Sequence, residues 1–402
     1  MAIFNSPKDI RIFVKNDRMD FFSTNKRLGI LGGGQLGKML LYNTRKWDIK
    51  TYVLDSSDYA PARLACDEFV KGDLMNYQDV VDFGEKVDIL TIEIENINVK
   101  ALYYLKKKGV KVYPQPEIIE IIQNKSLQKE FYLKNDIPTS KFDNFSDLED
   151  LKNAISKGDI SFPFVWKASK MGYDGYGVSI MKSIKDLESI KNCDCIVEEL
   201  IHFKNELSVI VARNERGETK EYPVVEMEFH PTTNQVEYVI CPARISKEIE
   251  EKAKKVALDV SEKYNHIGLL AVEMFLTETG DILVNEVAPR PHNSGHLTIE
   301  SSYTSQFEQH IRSILNLPLG NSDNKVSGVM VNLVGMEDHT GPVIYKNIDK
   351  ILAIKGVTPH IYGKKETRPH RKMGHVSIVN ENLNKARQIA EQVKSIIKVI
   401  SK

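Results

Sequence analysis

Cysteine is scarce in this chain of 402 residues: Cys66, Cys193, Cys195 and Cys241 are all there are, and no two form a CxxC pair. Four thiols in a chain this long make no disulfide framework, and they fit a reducing compartment. Net charge is missing too, since 55 Lys and Arg balance 55 Asp and Glu. A general nucleic-acid binder needs a positive field to displace counterions, so that class of partner is not expected. No apolar run approaches the ~18 residues of a membrane span. The first 27 residues carry both signs of charge and no apolar stretch, so a secretory signal is not expected. We read residues 1–27 as an extension, or as the product of an early start codon with Met19 as the true one. Repeats and low-complexity tracts are absent as well.

What remains is an ordinary globular composition, 42% hydrophobic, in a length that suggests roughly two to three domains. Short apolar strands at 27–31, 50–54, 88–94 and 110–113 alternate with helical stretches at 38–46, 77–83 and 99–107. Alternating strand and helix with buried strands implies a doubly wound parallel sheet, placed at 26–120 after an extension of 1–25. Pro114-Gln115-Pro116 punctuates its end. Residues 121–320 read as a central α+β domain. It has helices within 117–135, strands at 164–168, 195–198, 207–213 and 222–229, a long amphipathic helix at 248–264 and a hairpin at 270–288. Pro318 marks the exit to a small mixed domain, 321–402, ending in a helix at 383–400.

Gly32-x-Gly34-x-x-Gly37 follows the first strand and opens a helix, and Asp55 closes the next strand. That is the dinucleotide-binding pattern in its proper context. Alone it suggests an NAD-dependent oxidoreductase, or glycines kept only for close packing of helix on strand.

The hairpin is sharper. A two-residue turn at Thr279-Gly280 sets Glu273 opposite Glu286, with Met274 opposite Asn285, Phe275 opposite Val284 and Leu276 opposite Leu283. Two facing carboxylates repel unless a cation lies between them. Mg²⁺, or Mn²⁺, is the economical choice, because it accepts one or two carboxylates and fills its octahedron with phosphate and water. Arg290, His292 and Asn293 follow at once, and supply an anion fork and proton-handling groups. Lys167 precedes a glycine-rich loop, Met171 to Gly177, in which backbone N–H groups could cover phosphates, and Lys125 is a second cation. Lys364, Lys365, Arg368, Arg371 and Lys372 form a compact basic cluster suited to a small phosphate.

In this order the motifs GGGQLGKM (32–39), Glu93-Ile94-Glu95-Asn96, Gly172-Tyr173-Asp174-Gly175, the Asn285–His296 stretch and RPHRKMGH (368–375) resemble the N5-carboxyaminoimidazole ribonucleotide synthases, ATP-grasp enzymes of purine biosynthesis. The resemblance covers about residues 27–380. It implies an ATP-grasp fold with ATP between two β-rich lobes, a homodimer in the cytoplasm, and carboxylation of 5-aminoimidazole ribonucleotide by bicarbonate and ATP through carboxyphosphate. By the same resemblance ATP meets Lys125, Lys167, the loop residues Gly172, Tyr173, Asp174, Gly175, Tyr176, Gly177 and Val178, a hinge at Glu198, Glu199, Leu200 and Ile201, and Glu206, His230, Asn285 and Glu286. Tyr173, Asp174, Arg290, His292 and Asn293 serve the chemistry; Gln35, Glu95, Lys365, Arg368, Arg371 and Lys372 hold the ribonucleotide; Glu273 and Glu286 hold the metal. The chain departs from the family pattern at His370, where Gly is usual, at Tyr176 and Val178, and at Ala288, where many ATP-grasp enzymes place an Asn ligand. An ATP-grasp ligase with another acceptor, an NAD enzyme and a catalytically inactive homologue remain as other readings.

Overall fold

The structure, a computed structural model, describes residues 25–170, 177–231 and 235–402. The expected N-terminal extension and most of the glycine-rich loop, with Gly172, Tyr173, Asp174, Gly175 and Tyr176, lie outside the described residues.

Residues 25–123 form a five-stranded parallel sheet in the order Glu68–Lys71, Lys50–Asp55, Arg27–Leu31, Ile89–Ile92, Lys111–Val112. Its inner strands are buried on both faces, as the unbroken apolar runs require. Chain order reverses between Arg27–Leu31 and Ile89–Ile92, so the carboxyl ends of those two strands open a crevice.

Two antiparallel sheets follow. The small one is ordered Phe142–Phe145, Cys195–Glu199, Phe164–Ala168, Val178–Met181. The large one has nine strands: Ile282–Ala288, Gly268–Thr277, Phe203–Arg213, Val225–Phe229, Val236–Cys241, Gly328–Val334, Lys372–Val379 and Val357–Ile361 in sequence across the sheet, with Thr219–Glu221 paired to Phe203–Arg213. Helix Lys247–Tyr264 lays Ala253, Ala257 and Val260 on this sheet; small residues at helical spacing let it approach closely. Asn265 ends it in the left-handed region, at φ +48°. No helix among the described residues is long and apolar enough to cross a membrane.

The small C-terminal region shares a sheet with the central one: Gly328–Val334, Lys372–Val379 and Val357–Ile361 continue it. Gly328–Val334 is buried over six of its seven residues, which suits an interior strand rather than an edge. The last helix stops at Ile396 instead of running to residue 400. Lys398–Ser401, with β-branched Val399 and Ile400, becomes a strand against Gly341–Lys346. Helix Gln306–Ile314 joins the layers, because Phe307, Ile311 and Ile314 share a core with Leu28, Leu40 and Val53 of the first sheet.

Candidate active site

The glycine loop of the first sheet is occupied by the chain itself. Glu93, at the end of Ile89–Ile92, accepts from Gly34 N–H at 2.6 Å and from Gly37 N–H at 2.8 Å, while Asp55 accepts from Gly33 N–H at 2.7 Å. Helix Gln35–Lys46 has no acidic residue in its first turn and no side-chain cap of its own. Glu93 therefore supplies the negative charge that a helix N-terminus favours. Burial pushes its carboxyl group up, and the two N–H groups pull against that. A Cβ on Gly32 or Gly34 would lie 2.4 Å from the Glu93 side chain. The glycines make room for a carboxylate, and the place a pyrophosphate would take in an NAD enzyme is filled. This overturns the oxidoreductase reading. Its neighbour Glu95 forms an ion pair with Arg290 at 2.8 Å, so two residues expected on different substrates meet across the first and central layers.

In the hairpin, Glu273 faces Glu286 as the sequence suggests, but the register beyond them differs. Met274 pairs with Val284, Phe275 with Leu283 and Leu276 with Ile282. Thr277 N–H meets Asp281 C=O at 2.9 Å, which leaves a three-residue loop with Gly280 at φ +84°. A bulge at Asn285 then restores the register, so two one-residue shifts cancel at the glutamates. The bulge is anchored from outside the hairpin: Val284 N–H donates to Pro138 C=O at 2.7 Å, and Thr139 Oγ1 donates to Val284 C=O at 2.7 Å. It also aims Asn285, whose Oδ1 accepts from Lys167 Nζ at 3.1 Å.

Each glutamate has a cationic or ring partner. Glu286 Oε2 is 2.8 Å from Lys125 Nζ, and Glu273 Oε1 is 3.0 Å from His292 Nε2. The Lys125 ammonium brings the Glu286 carboxyl down to about 2. Glu206, on the neighbouring strand, is pushed well above the usual carboxylate range by burial and by the charges of Glu273 and Glu286. A third carboxylate so close to the pair adds to the negative charge that a cation would neutralise. Among the described residues no group of three or more His, Cys, Asp or Glu side chains could hold a metal alone. The facing pair fits Mg²⁺ in its usual manner, with phosphate oxygens and water completing the shell.

Beneath the pair lies a charge row that the sequence did not reveal. Lys129 Nζ lies 3.0 Å from Glu198 Oε2, and Lys167 Nζ lies 2.8 Å from Glu198 Oε1. Glu198, expected as part of a hinge read through its backbone, has its side chain buried between two ammonium groups. Burial opposes its ionisation, but Lys167 and Lys129 outweigh that and bring it down to about 2. The only signal for Lys129 was its spacing, one helical turn after Lys125 on Lys125–Lys134. The rest of the hinge is accessible: Glu199 is exposed, and Leu200 and Ile201 are half-buried. Gly177 and Val178 begin the strand beside Phe164–Ala168, with Val178 opposite Lys167. His230 lies at the end of Val225–Phe229, where its N–H meets Gln235 C=O at 2.8 Å.

The segment after the hairpin is fixed by its own polar groups. Gln306 accepts from His292 N–H at 2.9 Å and donates to His292 C=O at 2.7 Å. Ser294 N–H donates to His292 Nδ1 at 3.3 Å, which leaves Nε2 to carry the proton facing Glu273. Among the described residues, the buried Asn293 Nδ2 has no hydrogen-bond acceptor and is available to one from a ligand.

The C-terminal basic cluster is only partly buried. Lys365 and Arg368 are exposed, while Arg371 and Lys372 are half-buried, and Arg371 Nη1 is bound to Glu366 C=O at 2.7 Å. His370 sits at φ +61°. The position therefore calls for glycine because of its left-handed backbone, and a histidine tolerates that conformation at a cost. Gln35 lines a cleft with Lys38, Tyr42, His360 and Tyr362. Lys38 Nζ ties the two walls together, donating to Ile361 C=O at 2.9 Å.

Comparison with known proteins follows the same three segments. A ribonucleotide synthetase preATP-grasp domain matches residues 25–123, an ATP-grasp domain matches 130–307, and a phosphoribosylaminoimidazole carboxylase C-terminal domain matches 328–389. The phosphoribosylaminoimidazole carboxylase of Saccharomyces cerevisiae is 36% identical over 376 residues, which is 90% of this chain and 65% of that protein. The chain thus spans just under two thirds of that relative's length. The N5-carboxyaminoimidazole ribonucleotide synthase of Bacillus subtilis is 38% identical over 359 residues, covering 88% of this chain and 91% of that one. Among solved structures, N5-carboxyaminoimidazole ribonucleotide synthetase from Thermotoga maritima superposes with a TM-score of 0.86 at 43% identity, over 94% of this chain and all of that one. The Aspergillus clavatus N5-carboxyaminoimidazole synthase, solved with ADP and 5-aminoimidazole ribonucleotide, gives 0.84 at 30% identity, over 92% and 98%.

Proposed function

The chain belongs to the N5-carboxyaminoimidazole ribonucleotide synthase family of ATP-grasp ligases, and from that premise we propose that it carboxylates 5-aminoimidazole ribonucleotide with bicarbonate and ATP. The observation that carries the reading is the Glu273–Glu286 pair, flanked by Lys125 and Lys167 and followed by the fixed Arg290-Pro291-His292-Asn293 segment.

A bicarbonate oxygen attacks the γ-phosphorus of ATP, ADP leaves, and carboxyphosphate forms. The exocyclic amine then attacks the carboxyl carbon and phosphate departs. Lys125 and Lys167 lie where they can take the phosphate charge, and each is already held in place by a carboxylate. Mg²⁺ bound by Glu273 and Glu286 would neutralise charge developing on the phosphoryl oxygens. A cation held there would compete with His292 for Glu273, and the His292 Nε2–H, 3.0 Å from Glu273 Oε1, would then be a donor for the reacting oxygens. Arg290 fixes the carboxylate end of the intermediate by its fork, and the Asn293 amide supplies a donor beside it. Tyr173 and Asp174 would serve the chemistry, as the family resemblance implies. Lys365, Arg368, Arg371 and Lys372, with Gln35 and Glu95, would hold the ribonucleotide. We also read the working enzyme as a cytoplasmic homodimer, which sedimentation of the purified chain tests directly.

The deciding experiment follows ADP release with Mg²⁺-ATP and labelled bicarbonate, with and without 5-aminoimidazole ribonucleotide. Stimulation by the ribonucleotide, with label entering an acid-labile product, is the expected result. ADP release without stimulation refutes the acceptor, and no ADP release refutes the ligase.

A further inference from the structure

Lys129 belongs to none of the ligand contacts proposed above, yet it is among the most deeply buried ammonium groups of the chain, with 2% of its side chain exposed. Its three N–H bonds are all used inside the protein: by Glu198 Oε2 at 3.0 Å, Thr139 Oγ1 at 2.6 Å and Ser140 Oγ at 2.8 Å. Ser140 Oγ in turn donates to the same Glu198 oxygen at 2.6 Å. No donor is left for a nucleotide. A buried lysine is costly unless its charge serves something, and the geometry shows what that is. Glu198 lies between Lys129 and Lys167, 3% exposed, with one oxygen toward each. The carboxylate holds Lys167 in place but also cancels its charge. Adding Lys129 returns the buried group to a net charge of one positive unit.

We propose that Lys129 is a positioning residue for ATP: through Glu198 it lets Lys167 be both fixed by a carboxylate and still positive toward the phosphates. Without Lys129, the Lys167–Glu198 pair is neutral, and a tetra-anionic ligand gains little from it. The row continues to Asn285, which accepts from Lys167, and Asn285 is aimed by the hairpin bulge. Charge and orientation at Lys167 are thus set by two separate devices, one on helix Lys125–Lys134 and one in the hairpin. The inference rests on the ATP reading given above and goes one layer below it.

The test is a charge-balance rescue, read by equilibrium binding of Mg²⁺-ATP to the full chain and by the split between KM for ATP and kcat. Lys129→Met should weaken ATP binding by about tenfold or more and raise KM for ATP, with a much smaller change in kcat. Lys129→Met combined with Glu198→Gln leaves Lys167 positive and removes both buried counter-charges. It should bind ATP within about threefold of the unaltered chain. A merely structural lysine predicts the opposite order, with the double variant no better than the single. Unchanged ATP binding in Lys129→Met overturns the proposal, and so does a double variant that folds but binds as weakly as the single. If Lys129→Met alone does not fold, the double variant decides by the same comparison with the unaltered chain. Failure of the unaltered chain to bind ATP would instead refute the ligase reading.

Discussion

Two turns in this molecule advertise anion chemistry, and they are built in opposite senses. The Gly32–Gly37 loop has the outward form of a phosphate cradle, but its N–H groups are taken by Glu93 and Asp55. The Glu273–Glu286 hairpin looks like a repulsive pair of acids, but each acid is held by a group that a ligand can displace or recruit, Lys125 for one and His292 for the other. The first site is closed by the chain's own charge; the second is balanced by counter-groups that face it from neighbouring elements. A glycine motif therefore reports the backbone conformation that a position demands, while the charge balance around it decides whether a ligand can enter.

The comparison can be broken most sharply at the hairpin. Glu286→Gln or Glu273→Gln should lower turnover by at least about a thousandfold while the thermal midpoint changes little, because the metal loses an anchor that the fold does not need. Normal ATP turnover in the double variant would show that the pair is not the metal site. Glu93→Ala should do the reverse. It strands two buried N–H groups at a helix terminus, for a loss of about 3 kcal/mol of stability by urea unfolding. An unchanged unfolding midpoint would mean that water replaces the carboxylate and that the loop is open after all.

Acid should then separate the buried row from the rest. Glu198 is lowered from 4.5 to about 2, so its share of stability is full above 4.5 and is lost as pH falls from there toward 2. Urea unfolding from pH 5 to pH 2.5 should fall less steeply in Glu198→Gln than in the unaltered chain. Equal slopes would mean that the Lys129–Glu198–Lys167 row contributes nothing to acid sensitivity. The smallest effect is expected at a third turn that belongs to neither site. His370→Gly should raise the thermal midpoint by about 2 °C, since it relieves a left-handed residue worth roughly 1 kcal/mol. A lower midpoint would show that the His370 side chain contributes more than its backbone costs.

Much of this was legible in the sequence. Alternating apolar strands and helices announced the parallel sheet, and the ordered motifs announced the family. The Glu273–Glu286 pairing was right for an incomplete reason: a two-residue turn with no bulge and a three-residue loop with one bulge place the same two residues opposite each other. Local pattern cannot separate those cases, because the bulge is held by Pro138 and Thr139 from a distant segment. Lys129 was missed for a similar reason. Its sequence neighbour Glu130 pairs with Asn144 instead; its partner, Glu198, arrives on a strand almost seventy residues later. Glu93 was visible as part of a motif, but its role depends on two strands being neighbours, which only the sheet order supplies. The last strand, Lys398–Ser401, was taken for helix because an amphipathic pattern runs into it and its partner strand lies some fifty residues upstream.

The nine-stranded sheet carries one more consequence. Three family models describe this chain, but the second and third share a single hydrogen-bonded slab, joined where Val236–Cys241 meets Gly328–Val334. A chain cut in the connection at about residue 320 would bare the Val236–Cys241 edge and strip the cover from Tyr238 and Ile240. An unpaired apolar edge of that kind recruits other chains. The ATP-grasp segment of this protein is thus a unit of descent and not a unit of expression, and attempts to produce it alone should end in aggregates.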